Sequence, residues 1–415
     1  MKIAVLIGDG MGDYPLKELG GKTPLQAAAI PNMRAIAAAG TVRLVNTIPE
    51  GMSPGSDVAN LSIMGFDPRK YYTGRAPIEA AGAGIAMGPS DVAFRCNLIA
   101  VEQERIKDHS SGHITTEEAR PIIAALNERL GKPGLTFHVS SGYRHLLIWA
   151  NGPCDLVTTP PHDVLGQLAA QNLPAGARQD EVRRLMEASK EIMAAHPANA
   201  ARRQAGKTAP TQIWLWGQGR RTTLPSYRET FGLTGSVISA VDLVRGIGKL
   251  AGLDAEIVPG ATGFLDTNYA GKVKAALNVL DHQDFMFLHV EAPDECGHMG
   301  DLKLKLKAIE AFDREVVGPV WQGLETMRQP YRLIIATDHR TPIAVRNHTA
   351  EPVPVVVLNG PMPNAGLPSR SAMAKHGREA PFDEFVNGGQ AGGMAFEWLN
   401  LQIGNRKIRP PKAAI

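Results

Sequence analysis

The aliphatic run Leu333–Ala336 ends abruptly in Thr337, Asp338 and His339, at the head of the stretch LIIATDHRTPIAVRNH. A run of this length and content reads as a strand buried on both faces, which calls for a sheet covered by helices. Open sheets of that kind place their chemistry where the strands end. His348 follows nine residues after His339, in a segment too rich in Pro, Arg and Asn to be core. One carboxylate and two imidazoles are therefore delivered to one region. In isolation such a trio would more commonly cap a turn, so its meaning depends on what else arrives there.

The same pattern recurs along the chain. Ile3–Ile7 is a continuous aliphatic run followed by Gly8, Asp9, Gly10 and Gly12, a strand that closes in a tight glycine loop with Asp9 at its end. It is not a dinucleotide fingerprint, because Asp13 stands where the third glycine should be. Pro31 opens a predicted helix to Ala39, and Val42–Val45 follows as a strand. Further on, βα alternation is expected as a helix over Val237–Leu250, a strand over Glu256–Val258, a helix over Lys272–Leu280 and a strand over Phe285–Val290. The last runs into Glu291, Asp294 and His298. A long helix over Leu302–Val317 and a short strand over Val355–Leu358 complete the series.

Between these parts the texture changes. Short strands at Val92–Asn97, Thr136–Val139 and His145–Trp149 surround a helix at Glu117–Leu130, which suggests a compact α+β insertion. An amphipathic helix at Gln179–Ala195 and a polar linker at Pro197–Pro210 close it, and Ile213–Trp216 resumes as strand. The expected fold class is α/β, a mostly parallel sheet flanked by helices with a smaller inserted domain. The domain limits expected are 1–88 with 200–415 for the core and 89–199 for the insertion.

Composition excludes several classes. With 415 residues the chain can bury a substantial core, and a formal net charge of +3 gives no electrostatic footprint for nucleic acid or an anionic membrane. No apolar segment approaches the ~20 residues needed to cross a bilayer. Cys96, Cys154 and Cys296 are scattered and form no CxxC pair, so neither a disulfide framework nor a thiolate metal site is expected, and a reducing cytoplasm fits. The oligomeric state is not legible in the sequence.

In a parallel sheet the strand ends share an edge, which would gather Asp9, Ser56, Asp294, His298, Asp338, His339 and His348. Asp294 and His298, spaced i to i+4, share a face if their segment is helical. This oxygen and nitrogen set without cysteine suits Mn²⁺, Zn²⁺, Mg²⁺ or Co²⁺. Seven donors suffice for two ions, which ~3.5 to 4 Å apart would stabilise entering and leaving oxygens in phosphoryl transfer. Ser56 lies in SPGSDVANLSIMG, at the start of a predicted helix from Val58 to Met64. Serine there is commonly an N-cap; it is also the natural hydroxyl nucleophile, since its phosphorylated form would face the positive end of the helix.

MKIAVLIGDGMGD, SPGSDVANLSIMGFDP, YTGRAPIEAAG, EAPDECGHMGD and ATDHRTP with RNHTAEPVP, taken in order over nearly the whole chain, resemble the archaeal-type cofactor-independent phosphoglycerate mutases of the alkaline phosphatase superfamily. The resemblance implies a phosphatase-like core with an inserted cap and interconversion of 3- and 2-phosphoglycerate without 2,3-bisphosphoglycerate. A phosphoserine intermediate on Ser56 would carry the reaction. It also implies one ion, with manganese the first candidate, on Asp9, Ser56, Asp338 and His339 and a second on Asp294, His298 and His348. His109 and Arg75 are candidates for the catalytic machinery, and Asp108, Arg144, Arg220, Arg221 and Lys272 for holding a small phosphorylated substrate. The segments TTPPHDVLG and IWLWGQG look like a bacterial branch proposed to phosphorylate homoserine, so a homoserine kinase is the alternative. Its nucleotide site could not be a P-loop, because the upstream glycine is missing before both Gly21-Lys22-Thr23 and Gly206-Lys207-Thr208. A simple phosphatase and a metal-binding structural or regulatory protein are the remaining readings.

Overall fold

The computed structural model describes residues 1–361 and 380–404. Two compact units form, one of Met1–Tyr72 with Leu224–Ile415 and one of Thr73–Thr223. The second unit extends beyond the 89–199 span expected from sequence. It takes in the helix Arg75–Gly82 and the strand Gln212–Arg220, because that strand pairs along its length with Asp91–Glu102.

The first unit is built on an eight-stranded sheet among the described residues. Lys2–Gly8 is central, parallel to Phe285–Val290 on one side and to Tyr331–Ala336 on the other. Gly235–Ile238 and Asp254–Glu256 continue the parallel array outward from Phe285–Val290. Both Phe285–Val290 and Tyr331–Ala336 are buried at every position, as expected of largely apolar strands covered on both faces, with His289 and Arg332 as the polar exceptions. Leu6, Met286, Leu288, Leu333 and Ile335 pack with Ile309, Phe312 and Leu324 of the helices into one core.

Val353–Gly360 runs antiparallel to Tyr331–Ala336, and Thr41–Asn46 antiparallel to Val353–Gly360 in turn. The reversal matters for function. Because Val353 starts where its parallel neighbours finish, the segment leading into it brings His348 to the same edge as Asp9, Asp294 and Asp338.

Several expected elements differ: the strand expected at Glu256–Val258 is Asp254–Glu256. Val237–Leu250 is not one helix: Gly235–Ile238 is a strand, and the helix is Asp242–Leu250. Ser236, Val237 and Ile238 form a buried β run, and Ser239 turns the chain before an apolar periodicity begins, so the apolar pattern spans two short elements. Pro197–Pro210 is not a linker throughout, since Pro197–Gln204 is a helix with Pro197 in its first turn and the His196 side chain accepting from Ala198 N–H. The helix beginning at Leu302 changes to π geometry over Phe312–Val317 and continues over Gly318–Met327.

The second unit has its own five-stranded sheet, with Asp91–Glu102 between Arg144–Ala150 and Gln212–Arg220. Its separate core gathers Phe94, Leu98, Ile122, Leu126, Leu147, Ile213 and Trp214 between that sheet and the helices Thr116–Leu130 and Gln179–Ala195.

Candidate active site

The first unit brings all seven expected donors to one edge of its sheet. Ser56 is the first residue of the helix Ser56–Ile63, whose N-cap is Gly55 with no side-chain cap. Its Oγ lies 3.0 Å from His339 Nε2. His339 Nε2 is in turn 3.4 Å from Asp9 Oδ1 and 3.6 Å from Asp338 Oδ2. On the other side, Asp294 and His298 share one face of the helix Ala292–Met299, with His298 Nε2 3.2 Å from Asp294 Oδ2. His348 Nε2 is 3.0 Å from His298 Nε2 and 3.5 Å from Asp294 Oδ1. The His339 and His348 rings lie 4.1 Å apart, so the strand end at Asp338 and His339 joins the two halves of the cluster.

The electrostatics of this cluster call for a cation. Asp9 is buried, and its Oδ1 has no hydrogen-bond partner among the described residues. Burial, and then the charges of Asp338 and Asp294, push the Asp9 carboxyl well above the usual carboxylate range. Burial opposes charge on Asp294 too, but His298 and His348 hold its carboxyl well below that range. His298 is likewise opposed by burial, yet Asp294 raises its pKa to about 9. His298 Nδ1 faces the Arg346 carbonyl at 3.0 Å, and because a carbonyl only accepts, Nδ1 carries a proton and Nε2 is the atom turned inward. Two groups, Asp9 with Asp338 and His339, and Asp294 with His339 and His348, each present ligand atoms within 4.8 Å of one another. Hard oxygen and imidazole donors, an orphaned buried carboxylate oxygen and crowded negative charge fit divalent ions.

Several neighbours were not singled out from sequence. His289, inside the otherwise apolar strand FMFLHV, sets Nε2 2.8 Å from Asp9 Oδ2. Asn60 Nδ2 donates to Asp338 Oδ2 at 2.8 Å and to the Ser56 carbonyl at 2.8 Å. A lone histidine in a buried strand, and an asparagine four residues after a candidate nucleophile, were the signals present.

Of the candidate substrate ligands, Lys272 belongs to the first unit. It is buried, donates Nζ to the His289 carbonyl at 3.0 Å, and is lowered to about 8 by that burial, with Glu291 acting in the opposite sense. The second unit holds the others. Asp108 spends its carboxylate on its own loop, accepting from Ser110 N and Oγ, each at 2.7 Å, and from Gly112 N at 2.6 Å. The His109 ring is 5.4 Å from Tyr143 and 5.9 Å from His162, and burial lowers its pKa. Arg144 lies over Tyr143 at 5.1 Å. Arg75 and Arg95 share Glu79 Oε1 at 2.8 and 3.1 Å, and both guanidiniums lie over Trp216. Arg220 and Arg221 are exposed at the end of the Gln212–Arg220 strand.

A protein of Geobacter sulfurreducens described as a probable 2,3-bisphosphoglycerate-independent phosphoglycerate mutase is 50% identical over 372 residues, covering 88% of this chain and 93% of its own. A Methanosarcina barkeri protein named as the same mutase is 50% identical over 358 residues, covering 86% of this chain and 90% of its own. The chain belongs to this family. The family profile for 2,3-bisphosphoglycerate-independent phosphoglycerate mutase matches residues 37–199. A solved structure of a Pyrococcus horikoshii protein superposes with a TM-score of 0.76 at 28% identity, covering 98% of each chain. As a 2,3-bisphosphoglycerate-independent phosphoglycerate mutase by family, the chain has its Ser56 cluster in the first unit and its arginine cluster in the second.

Proposed function

We propose that the chain interconverts 3-phosphoglycerate and 2-phosphoglycerate through a phosphoserine on Ser56. The observation that carries this reading is a serine hydroxyl at the uncapped start of a helix, within reach of His339 and surrounded by buried carboxylates and imidazoles. Asp9, Ser56, Asp338 and His339 would hold one divalent ion, and Asp294, His298 and His348 a second, manganese being the first candidate. When bound, such ions neutralise phosphate charge and favour the alkoxide form of a serine hydroxyl.

The residues of the chain do the rest. Ser56 Oγ gives up its proton and attacks phosphorus; the bond from phosphorus to the substrate oxygen breaks, and that oxygen takes a proton, assigned to His109 as acid, and leaves as the glycerate hydroxyl. In the second half the other glycerate hydroxyl returns its proton to His109 and attacks the phosphoserine; the bond from phosphorus to Oγ breaks, and Oγ regains the proton given up in the first half. Backbone N–H groups at the start of Ser56–Ile63, together with the helix dipole, favour the phosphorylated state. In the second unit, Arg75 and Arg95 flank Glu79, and the charge of Arg144 also acts on it; guanidinium groups of this kind suit an anionic substrate. His109 is assigned acid–base work, and Asp108, Arg144, Arg220, Arg221 and Lys272 substrate contacts. Three free cysteines agree with a cytoplasmic setting, and no helix of the described residues is long and apolar enough to cross a membrane.

The test is phosphorus NMR on the Mn²⁺-loaded chain, quenched and demetallated before spectra are taken. One sample receives 3-phosphoglycerate and another ATP with homoserine. Appearance of 2-phosphoglycerate in the first is the expected result; phosphohomoserine in the second, or only free phosphate in the first, would replace the mutase reading.

A further inference from the structure

Thr341 is fully buried, two residues after His339, and touches both halves of the cluster. Its Oγ1 donates to Asp294 Oδ1 at 2.5 Å and lies 3.2 Å from His339 Nδ1. Its backbone is pinned as well: the N–H donates to the Gly12 carbonyl at 3.1 Å, and the carbonyl accepts from Lys305 Nζ at 2.7 Å. Glycines flank it on both sides. A Cβ on Gly10 would come within 2.5 Å of Thr341 Oγ1, and a Cβ on Gly297 within 2.8 Å of its methyl carbon. The side chain therefore sits in a slot that holds its rotamer.

We propose that Thr341 is a positioning residue that sets the tautomer of His339 and ties it to Asp294. A hydroxyl has one hydrogen to give and an ionised carboxylate can only accept, so the Thr341 hydrogen goes to Asp294. The remaining contact can be a hydrogen bond only if His339 Nδ1 carries the hydrogen and donates it to Thr341 Oγ1. That leaves His339 Nε2 as a lone pair, and Nε2 is the atom facing Ser56 and Asp9. The direction of the chain is thus His339 Nδ1–H to Thr341 O–H to Asp294, and it orients one donor of each candidate metal group. Partners of this kind are worth about 10- to 100-fold in metal affinity.

The tautomer part rests on geometry alone; the affinity part also rests on the metal reading. The full-length chain is labelled with ¹⁵N-histidine and studied metal-free and loaded with Zn²⁺, which is diamagnetic, with His339 assigned from the spectrum of His339→Gln. Long-range ¹⁵N–¹H correlations in the wild type should show a protonated Nδ1 and an unprotonated Nε2. Thr341→Val keeps the shape and removes the hydroxyl. It should lose the preference and weaken Mn²⁺ binding, read by competition with a chelating dye, by about 10- to 100-fold. Thr341→Ser should restore both. A wild-type His339 protonated on Nε2 would overturn the proposal, as would a folded Thr341→Val with unchanged tautomer and affinity. Neither readout uses phosphoglycerate, so failure of the mutase reading would leave these outcomes intact.

Discussion

At the scale of single residues, the chain holds several ionisable groups in its interior. Lys305 is fully buried and donates to Asp13 Oδ2 at 2.8 Å, to the Gly12 carbonyl at 3.0 Å and to the Thr341 carbonyl at 2.7 Å. Lys305→Met would leave the Asp13 carboxylate buried without its countercharge, at a cost of about 3 to 5 kcal/mol. Urea denaturation of the variant should read that loss, and an unchanged midpoint would refute it. In the second unit, His145 is buried, accepts from Ser140 N–H at its Nδ1, and is pushed down to about 3 by burial. Because its folded pKa lies below the unfolded value of about 6.5, its contribution is complete above that value and is lost as pH falls toward about 3. His145→Phe should therefore show a smaller drop in stability between pH 7 and pH 5 than the wild type, by ~2 kcal/mol if no other group changes. Equal drops in the two proteins would contradict the burial assigned to His145.

At the scale of elements, strand ends and the turns that follow them build the site. Gly10 has φ +59°, and an added Cβ would lie 2.5 Å from Thr341 Oγ1 and 2.6 Å from Asp294 Oδ1. Gly10→Ala is expected to weaken Mn²⁺ binding at least tenfold, read by dye competition, because nothing around it can retreat without moving a candidate ligand. His348→Ala should remove about one of two bound ions in metal analysis, since His348 arrives on the segment leading into the antiparallel strand and serves one half of the cluster. Much of this layout was legible beforehand. Ile3–Ile7, Phe285–Val290 and Leu333–Ala336 announce themselves because a doubly covered strand is mostly apolar, His289 being the exception, and the candidate donors Asp9, Asp294 and Asp338 follow within a few residues of the end of each run. Asp294 and His298 were legible through helical spacing. Thr341, Asn60 and Lys305 were not, because their importance comes from what they touch across the sheet edge. Lys305 stands in LKLKLK, where its spacing does not set it apart from Lys303 and Lys307. The strand at Gly235–Ile238 was absorbed into the following helix because its apolar run is too short to separate from a helical turn by periodicity.

At the scale of the molecule, the two units have separate cores, with the proposed ligands and nucleophile in the first and most of the candidate substrate contacts in the second. Divalent ions that bind only the folded first unit should stabilise it by ~2.7 kcal/mol when free metal is a hundred times the Kd. Hydrogen exchange with and without Mn²⁺ should show that added protection in Lys2–Gly8, Phe285–Val290 and Tyr331–Ala336. It should leave the strand Asp91–Glu102 unchanged, and uniform protection across both units would contradict the assignment. The central claim, that Ser56 carries the phosphoryl group, is tested most directly by rapid acid quench of the Mn²⁺-loaded chain with ³²P-labelled 3-phosphoglycerate and mapping of the labelled peptide. Label on Ser56 in the wild type, with neither label nor 2-phosphoglycerate formed by a folded, metal-binding Ser56→Ala, is the expected result. A Ser56→Ala chain that still isomerises its substrate would contradict it.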